Sequence, residues 1–266
     1  MAGWFLRGLA SGIRTTRFPH RADATPGVIV GLPLETDFTY ARVAAEAAKR
    51  CPTGALTARG IVVGVDARRC IHCFRCVRGT VTPMRWGSTV ALRGPSAGAA
   101  LPAGAQPTGG GEVRLGRAFR RSINILVVDA GDCGACLNEV RQLNAPQYNM
   151  HRLGFFITPT PRNADLLLVV GQVTDAMRHP LLAAYTAMPE PKLVIAVGTC
   201  AVTGALFGES FATAAGVGDL LPVDAEVPGS PPSPLEILAA LLALTGRAPA
   251  RAESPAGGAR PAETQS

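Results

Sequence analysis

All seven cysteines of the 266-residue chain fall in short patterns with their neighbours. Cys70, Cys73 and Cys76, in CIHCFRC, have the C-x2-C-x2-C spacing with which a tight loop sets three thiolates around one face of a cubane iron–sulfur cluster. The fourth ligand must then come from elsewhere in the chain. Cys51, followed by proline in CPTGAL, supplies it, so the four residues make one complete site for a 4Fe-4S cluster. A zinc site would more naturally use two separated C-x2-C knuckles. His72 and Phe74, inside the loop, are read as packing or surface residues rather than ligands.

The second set is Cys133 and Cys136 in GDCGACLNE, with Cys200 in GTCA. A lone C-x2-C after a strand could equally be a redox dithiol of thioredoxin type. Cys200, however, also follows directly on an apolar strand pattern, LVIAVGTC, and a parallel sheet would carry all three thiols to one edge. Clustered thiols in a chain without a secretory signal are expected to bind metal rather than pair as disulfides.

The elements that position these residues divide the chain in four. Residues 1–93 are expected to hold a short amphipathic helix, with Trp4, Phe5, Leu9 and Ile13 at helical spacing, followed by a small iron–sulfur domain. That helix suits a partner, a membrane surface or its own domain. Residues 94–112, rich in Gly, Ala and Pro, read as a flexible linker, and residues 247–266, with nothing apolar larger than alanine, as a disordered tail. Between them, residues 113–246 read as α/β. Ile123 to Val128, Ala164 to Val170 and Lys192 to Val197 are short, branched and non-alternating, as strands buried on both faces are. A further short strand is expected around Leu221 to Asp224. Thr174 to Met188 has helical spacing with Thr174 or Asp175 as N-cap, and Pro234 opens another helix through Leu244. The alternation predicts a doubly wound, flavodoxin-like parallel sheet, whose ligands gather beyond the carboxyl ends of its strands.

Composition narrows the classes further. No apolar run approaches the ~18 residues of a membrane span, and the N-terminal residues lack a signal-peptide pattern, so a cytoplasmic product is expected. The net charge of +7 comes almost wholly from arginine, Lys49 and Lys192 being the lysines. Without a groove-reading helix or stacking motif, it does not point to nucleic acid.

The runs INILVVDAGDCGACLNE, TPTPRNADLLLVVGQVTDAM, MPEPKLVIAVGTCAVTGALF and PVDAEVPGSPPSP, across roughly residues 121 to 246, resemble the family of the complex I subunit that holds the terminal cluster, together with the small subunits of energy-converting nickel–iron hydrogenases. The earlier residues resemble a ferredoxin domain in which one half has kept its Cys-Pro and the other its triplet. GIRTTRFP and that reduced pattern are similar to the ferredoxin-like subunits that accompany the family, so the chain looks like a fusion of two neighbouring subunits. The resemblance implies an iron–sulfur electron-transfer subunit working with a large catalytic subunit, membrane-arm subunits and an external electron carrier, held peripherally on the inner face of the cell membrane through its partners. It also implies quinone or hydrogen chemistry in the partner rather than in this chain. Glu139 matches an acidic position beside the family's cluster, implying proton relay or interface contact; a helix N-terminal carboxylate favoured by the dipole is the alternative. One position departs from the pattern: the family's PGCPP loop supplies a fourth cysteine, where this chain has Ser230. The second site is therefore expected to hold a 4Fe-4S cluster with an oxygen or outside ligand, a 3Fe-4S cluster, or none. A redox-silent structural subunit and a dithiol oxidoreductase are the rival functions.

Overall fold

The computed structural model of the protein describes residues 3–12, 18–19, 31–78, 83–87, 119, 121–204 and 206–246. The expected linker 94–112 and tail 247–266 lie outside them. So do Ile13 and the side chain of Phe5, which belong to the expected amphipathic pattern. Helix α1 (Gly3–Ser11) exposes Trp4, Leu6 and Leu9.

Residues 31–78 and 83–87 form two small sheets around one helix. β1 (Leu32–Pro33) pairs antiparallel with β5 (Trp86–Gly87), and β2 (Thr36–Asp37), β4 (Val62–Val65) and β3 (Leu56–Arg59) form an antiparallel sheet in that order. Gly60, at φ +64, opens the two-residue turn between β3 and β4, where a left-handed backbone suits the strand twist. Helix α2 (Ala41–Lys49) lays Ala44 and Ala47 on Leu56 and Val63, and Phe38 and Met84 complete that core. The small alanine faces let the helix approach the hairpin closely.

The α/β part is a five-stranded, all-parallel sheet. β6 (Ile123–Asp129), β7 (Phe155–Ile157), β8 (Leu166–Val170), β9 (Leu193–Val197) and β10 (Ala225–Val227) lie in the order β10-β9-β8-β6-β7. Counted within this part, that is the flavodoxin-like order with its switch point between β6 and β8. Every residue of β8 and β9 is buried because both faces are covered. Leu166, Leu168, Val170, Leu193, Ile195 and Val197 face a core built with α3 (Ala135–Gln142) and α6 (Pro234–Leu244). Leu167, Val169, Val194 and Ala196 face the opposite core, with α4 (Asp175–Ala187) and the short α5 (Thr199–Thr203). Period-two alternation of the strand thus feeds two apolar layers.

Helix α6 is buried on almost every side, as its apolar circumference requires. Ser233 and Glu236 close a capping box at its start: the Ser233 N–H donates to Glu236 Oε2 at 2.7 Å, and Ser233 Oγ accepts from the Glu236 N–H at 3.4 Å.

Three expectations need correction, the first being the strand expected from Ala164, which begins at Leu166 because the Asp165 carboxylate accepts from the Asn124 N–H at 2.8 Å. The last strand is not Leu221 to Asp224 but Ala225–Val227. Leu221 is instead buried in the second core, Pro222 has no amide to pair, and the Asp224 carboxylate accepts from the Val194 N–H at 2.8 Å, so pairing starts one residue later. The strand expected to begin at Lys192 begins at Leu193: Lys192 Nζ turns back to cap α4, donating to the carbonyls of Tyr185 (3.0 Å) and Met188 (3.3 Å). β7 had no counterpart in the sequence pattern, being a three-residue edge strand with Phe156 and Ile157 exposed.

Candidate metal centres

Cys51, Cys70, Cys73 and Cys76 line one cavity of about 330 Å³, measured with its open mouth. Cys51 follows the last turn of α2, and the other three come from the loop after a 3-10 turn at Ala67–Arg69. His72 and Phe74 adopt left-handed backbone, at φ +55 and +58, between the cysteines. Two such residues in so short a loop let it curl around a central object, a strain found where a site demands it. The Ala55 N–H points at Cys51 Sγ (3.3 Å), and the His72 backbone N–H lowers the charge cost on Cys70.

Cys70 is buried, Cys51 and Cys76 are half-buried, and Cys73 is exposed. Burial first, then the neighbouring Cys76, Cys51 and Cys73, pushes the Cys70 thiol up to about 11, and burial likewise raises Cys76. Cys70 and Cys76 resist ionising unless a cation shares the site, so metal binding and proton release are coupled there. The donor set, the N–H···S contacts and the curled loop fit an iron–sulfur cluster. Among the described residues, no three His, Cys, Asp or Glu side chains close on a position for a lone metal ion.

His72 packs beside Trp86, which lines the pocket. Both ring nitrogens are buried without hydrogen-bond partners, burial pushes its pKa down to about 4, and the ring stands edge-on to Trp86, centroids 6.4 Å apart. Phe74 stacks on Trp86 at 4.5 Å. Both side chains pack.

The second set gathers at the carboxyl edge of the large sheet. Cys133 follows β6, Cys136 lies in the first turn of α3, and Cys200 lies in α5, directly after β9. Burial first, then Asp132, Cys200 and Cys133, pushes the Cys136 thiol up to about 12; burial first, then Cys133, raises Cys200. Their mutual influence places the three sulfurs in one neighbourhood. Ser230 is exposed, and the preceding Gly229 exchanges two bonds with Thr199, the neighbour of Cys200. Glu139 lies past the first turn of α3, half-buried, and burial raises its carboxyl.

Sequence reasoning missed the residues that shape this edge. Gly198, at φ +92, leaves room for Cys136: a Cβ there would lie 2.5 Å from the sulfur. Asp132 Oδ2 accepts from the N–H groups of Gly134 (3.0 Å) and Leu137 (2.9 Å), fixing the turn that carries Cys133 and Cys136. An aspartate just before a C-x2-C that opens a helix was a legible sign of this cap. Arg68, beside the first cysteine loop, forks onto Glu226 of β10 through Nε (2.7 Å) and Nη2 (2.8 Å), a pairing across 158 positions that no local pattern reveals.

Comparison with known proteins locates this edge in a family. Residues 133–244 match the family described as NADH ubiquinone oxidoreductase, 20 Kd subunit. The uncharacterised protein MJ0516 of Methanocaldococcus jannaschii is 41% identical over 134 residues, covering 50% of this chain and 90% of that protein. Formate hydrogenlyase subunit 7 of Escherichia coli is 38% identical over 45% of this chain and 47% of its own length. An NADH-quinone oxidoreductase subunit of Heliobacterium modesticaldum is 40% identical over 42% of this chain and 65% of its own. The chain thus spans less than two thirds of these last two relatives.

Proposed function

The chain belongs to the NADH ubiquinone oxidoreductase 20 Kd subunit family through residues 133–244, and from that premise we propose that it is an iron–sulfur electron-transfer subunit of a membrane-associated hydrogenase or complex I-like oxidoreductase. The observation that carries this reading is the convergence of Cys51, Cys70, Cys73 and Cys76 on one cavity, ahead of the family-matched part. In this reading residues 1–93 are a ferredoxin-like addition, joined by the 94–112 linker to the family domain at 113–246, with a tail from 247.

Bound clusters supply one-electron chemistry, which no side chain here offers. The chain's own residues position and insulate. Cys51, Cys70, Cys73 and Cys76 would hold a 4Fe-4S cluster, and Trp86 and Phe74, which line the same cavity, would keep water from its flank and lower the local dielectric. Cys133, Cys136 and Cys200 would hold the second centre, a 4Fe-4S or 3Fe-4S cluster, with Ser230 standing where the family has its fourth cysteine. Glu139, its carboxyl raised by burial, is placed to hold a proton beside that centre. A large catalytic subunit, membrane-arm subunits and an external electron carrier are the partners. No helix among the described residues is long and apolar enough to cross a membrane, which suits peripheral attachment to the cytoplasmic face through those partners.

Ser230 favours one second reading: with the family's fourth thiol missing, the α/β part serves only as a structural subunit. Anaerobic purification of the assembled complex separates the two. Electrons from a low-potential one-electron donor should bleach the cluster absorbance and reach the complex's acceptor, and Cys200→Ala should stop transfer while leaving assembly intact. Wild-type transfer in Cys200→Ala would overturn the relay through the α/β part.

A further inference from the structure

Thr199 is fully buried at the junction of the two cysteine sites. Its Oγ1 donates to the Cys70 carbonyl at 2.9 Å and accepts from the Gly229 N–H at 2.9 Å, while its own N–H donates to the Gly229 carbonyl at 2.8 Å. A hydroxyl has one proton and two lone pairs, and here the proton is committed to the first cysteine loop and a lone pair to the loop of Ser230. Thr199 itself precedes Cys200. One oxygen atom therefore ties together the three loops that bear Cys70, Cys200 and Ser230.

This bond does little for the local helix. Valine would fill the same volume, and a buried hydroxyl is costly unless fully bonded, so its use lies across the junction. The same junction is pinned nearby: Arg68 forks onto Glu226, and the single Thr203 hydroxyl proton is shared between the Thr199 carbonyl (3.3 Å) and the Arg68 carbonyl (3.4 Å). Residues Arg68 to Cys70 are thus clamped onto α5 and β10 by side chains of opposite and complementary character.

We propose that Thr199 is the positioning residue of the electron path between the two cysteine sites, holding the Cys70 carbonyl against the peptide that leads to Cys200, so that electrons pass directly within one chain. The inference rests on the two-centre reading of the chain. The step moves one electron: the centre on Cys51, Cys70, Cys73 and Cys76 is oxidised as the centre on Cys133, Cys136 and Cys200 is reduced, or the reverse. No bond forms or breaks and no proton moves. The external one-electron carrier supplies or removes the electron.

The test uses the full chain with its clusters and the variants Thr199→Val and Thr199→Ser. Three quantities are read: exchange of the Gly229 amide, magnetic splitting between the two centres in dithionite-reduced protein, and the rate of electron redistribution after rapid photoreduction. Thr199→Val should keep the iron of both sites, raise Gly229 exchange about tenfold or more, alter the splitting and slow redistribution; Thr199→Ser, which keeps the hydroxyl, should restore all three. If Thr199→Val does not fold, Arg68→Gln must slow redistribution in the same sense. Two occupied centres with wild-type splitting and rate in whichever of these variants folds overturn the role of Thr199. Iron at only one site in the wild-type protein overturns instead the two-centre reading, and with it this proposal.

Discussion

Gly198→Ala probes the geometry of the second centre most sharply. The glycine follows β9 at φ +92 and ψ 145, a region that residues with a Cβ rarely enter, so alanine costs about 1–3 kcal/mol in backbone strain alone. Its Cβ would also lie 2.5 Å from Cys136 Sγ, well inside the ~3.5 Å at which heavy atoms rest in contact. Displacing a buried sulfur between α3 and the sheet is overpacking, worth a further ~1–3 kcal/mol. The sum, about 2–6 kcal/mol, is a large share of the ~5–15 kcal/mol that stabilises a domain. Gly134→Ala is a partial control: its φ is +93 but its ψ of −15 lies in the left-handed helical region, so it carries a milder strain, and a Cβ there meets nothing within 4 Å. Urea midpoints and iron per chain, measured for both variants, compare positive-φ strain alone with strain plus the sulfur collision. Gly198→Ala should be less stable than Gly134→Ala by about 1–3 kcal/mol and should lose iron selectively from the second centre. Equal midpoints and equal iron would refute the placement of Cys136 against Gly198.

Ser230→Cys should raise iron occupancy and air stability of the second centre, because it adds a thiolate on a loop already tied to Thr199 through Gly229; unchanged iron would mean that the loop does not reach the centre. Ser233→Ala, which removes the cap of α6, should lower stability by about 1 kcal/mol in the urea midpoint without changing iron content. Burial, opposed by bonds from Ser233 and Gly31, raises the Glu236 carboxyl above its ordinary 4.5, so the folded state binds that proton more tightly than the unfolded chain. Stability from this group is therefore full below pH 4.5 and declines as pH rises through the higher folded value. Glu236→Gln, which keeps an acceptor for Ser233, should flatten that decline between acid and neutral pH; an unchanged profile would show that Glu236 does not titrate with folding.

What the sequence made legible was chemistry at short range. The C-x2-C-x2-C triplet and Cys51-Pro52 announced one site, and the apolar runs of β8 and β9 announced a sheet covered on both faces, because spacing and hydrophobic run length act locally. The helix at Pro234 to Leu244 was bounded correctly from its proline, although the Ser233–Glu236 box that caps it was not read. β7 and β10 were harder: three-residue strands carry almost no periodicity, and the start of β10 is set by Pro222 and the Asp224 side chain rather than by apolarity. The junction was invisible for a different reason. Thr199, Arg68 and Glu226 are unremarkable in their own segments, and their roles exist only once positions 129 to 158 apart are brought together.

The central claim, that one chain holds two separate iron–sulfur centres on its two cysteine sets, is tested most directly by iron, sulfide and low-temperature paramagnetic resonance on three anaerobic preparations: wild type, Cys51→Ala and Cys200→Ala. Wild type should give two reduced-state signals; Cys51→Ala should lose the first and keep the second, and Cys200→Ala the reverse, each with its share of iron and sulfide. Zinc in place of iron, or the same iron and spectra in all three preparations, would contradict it.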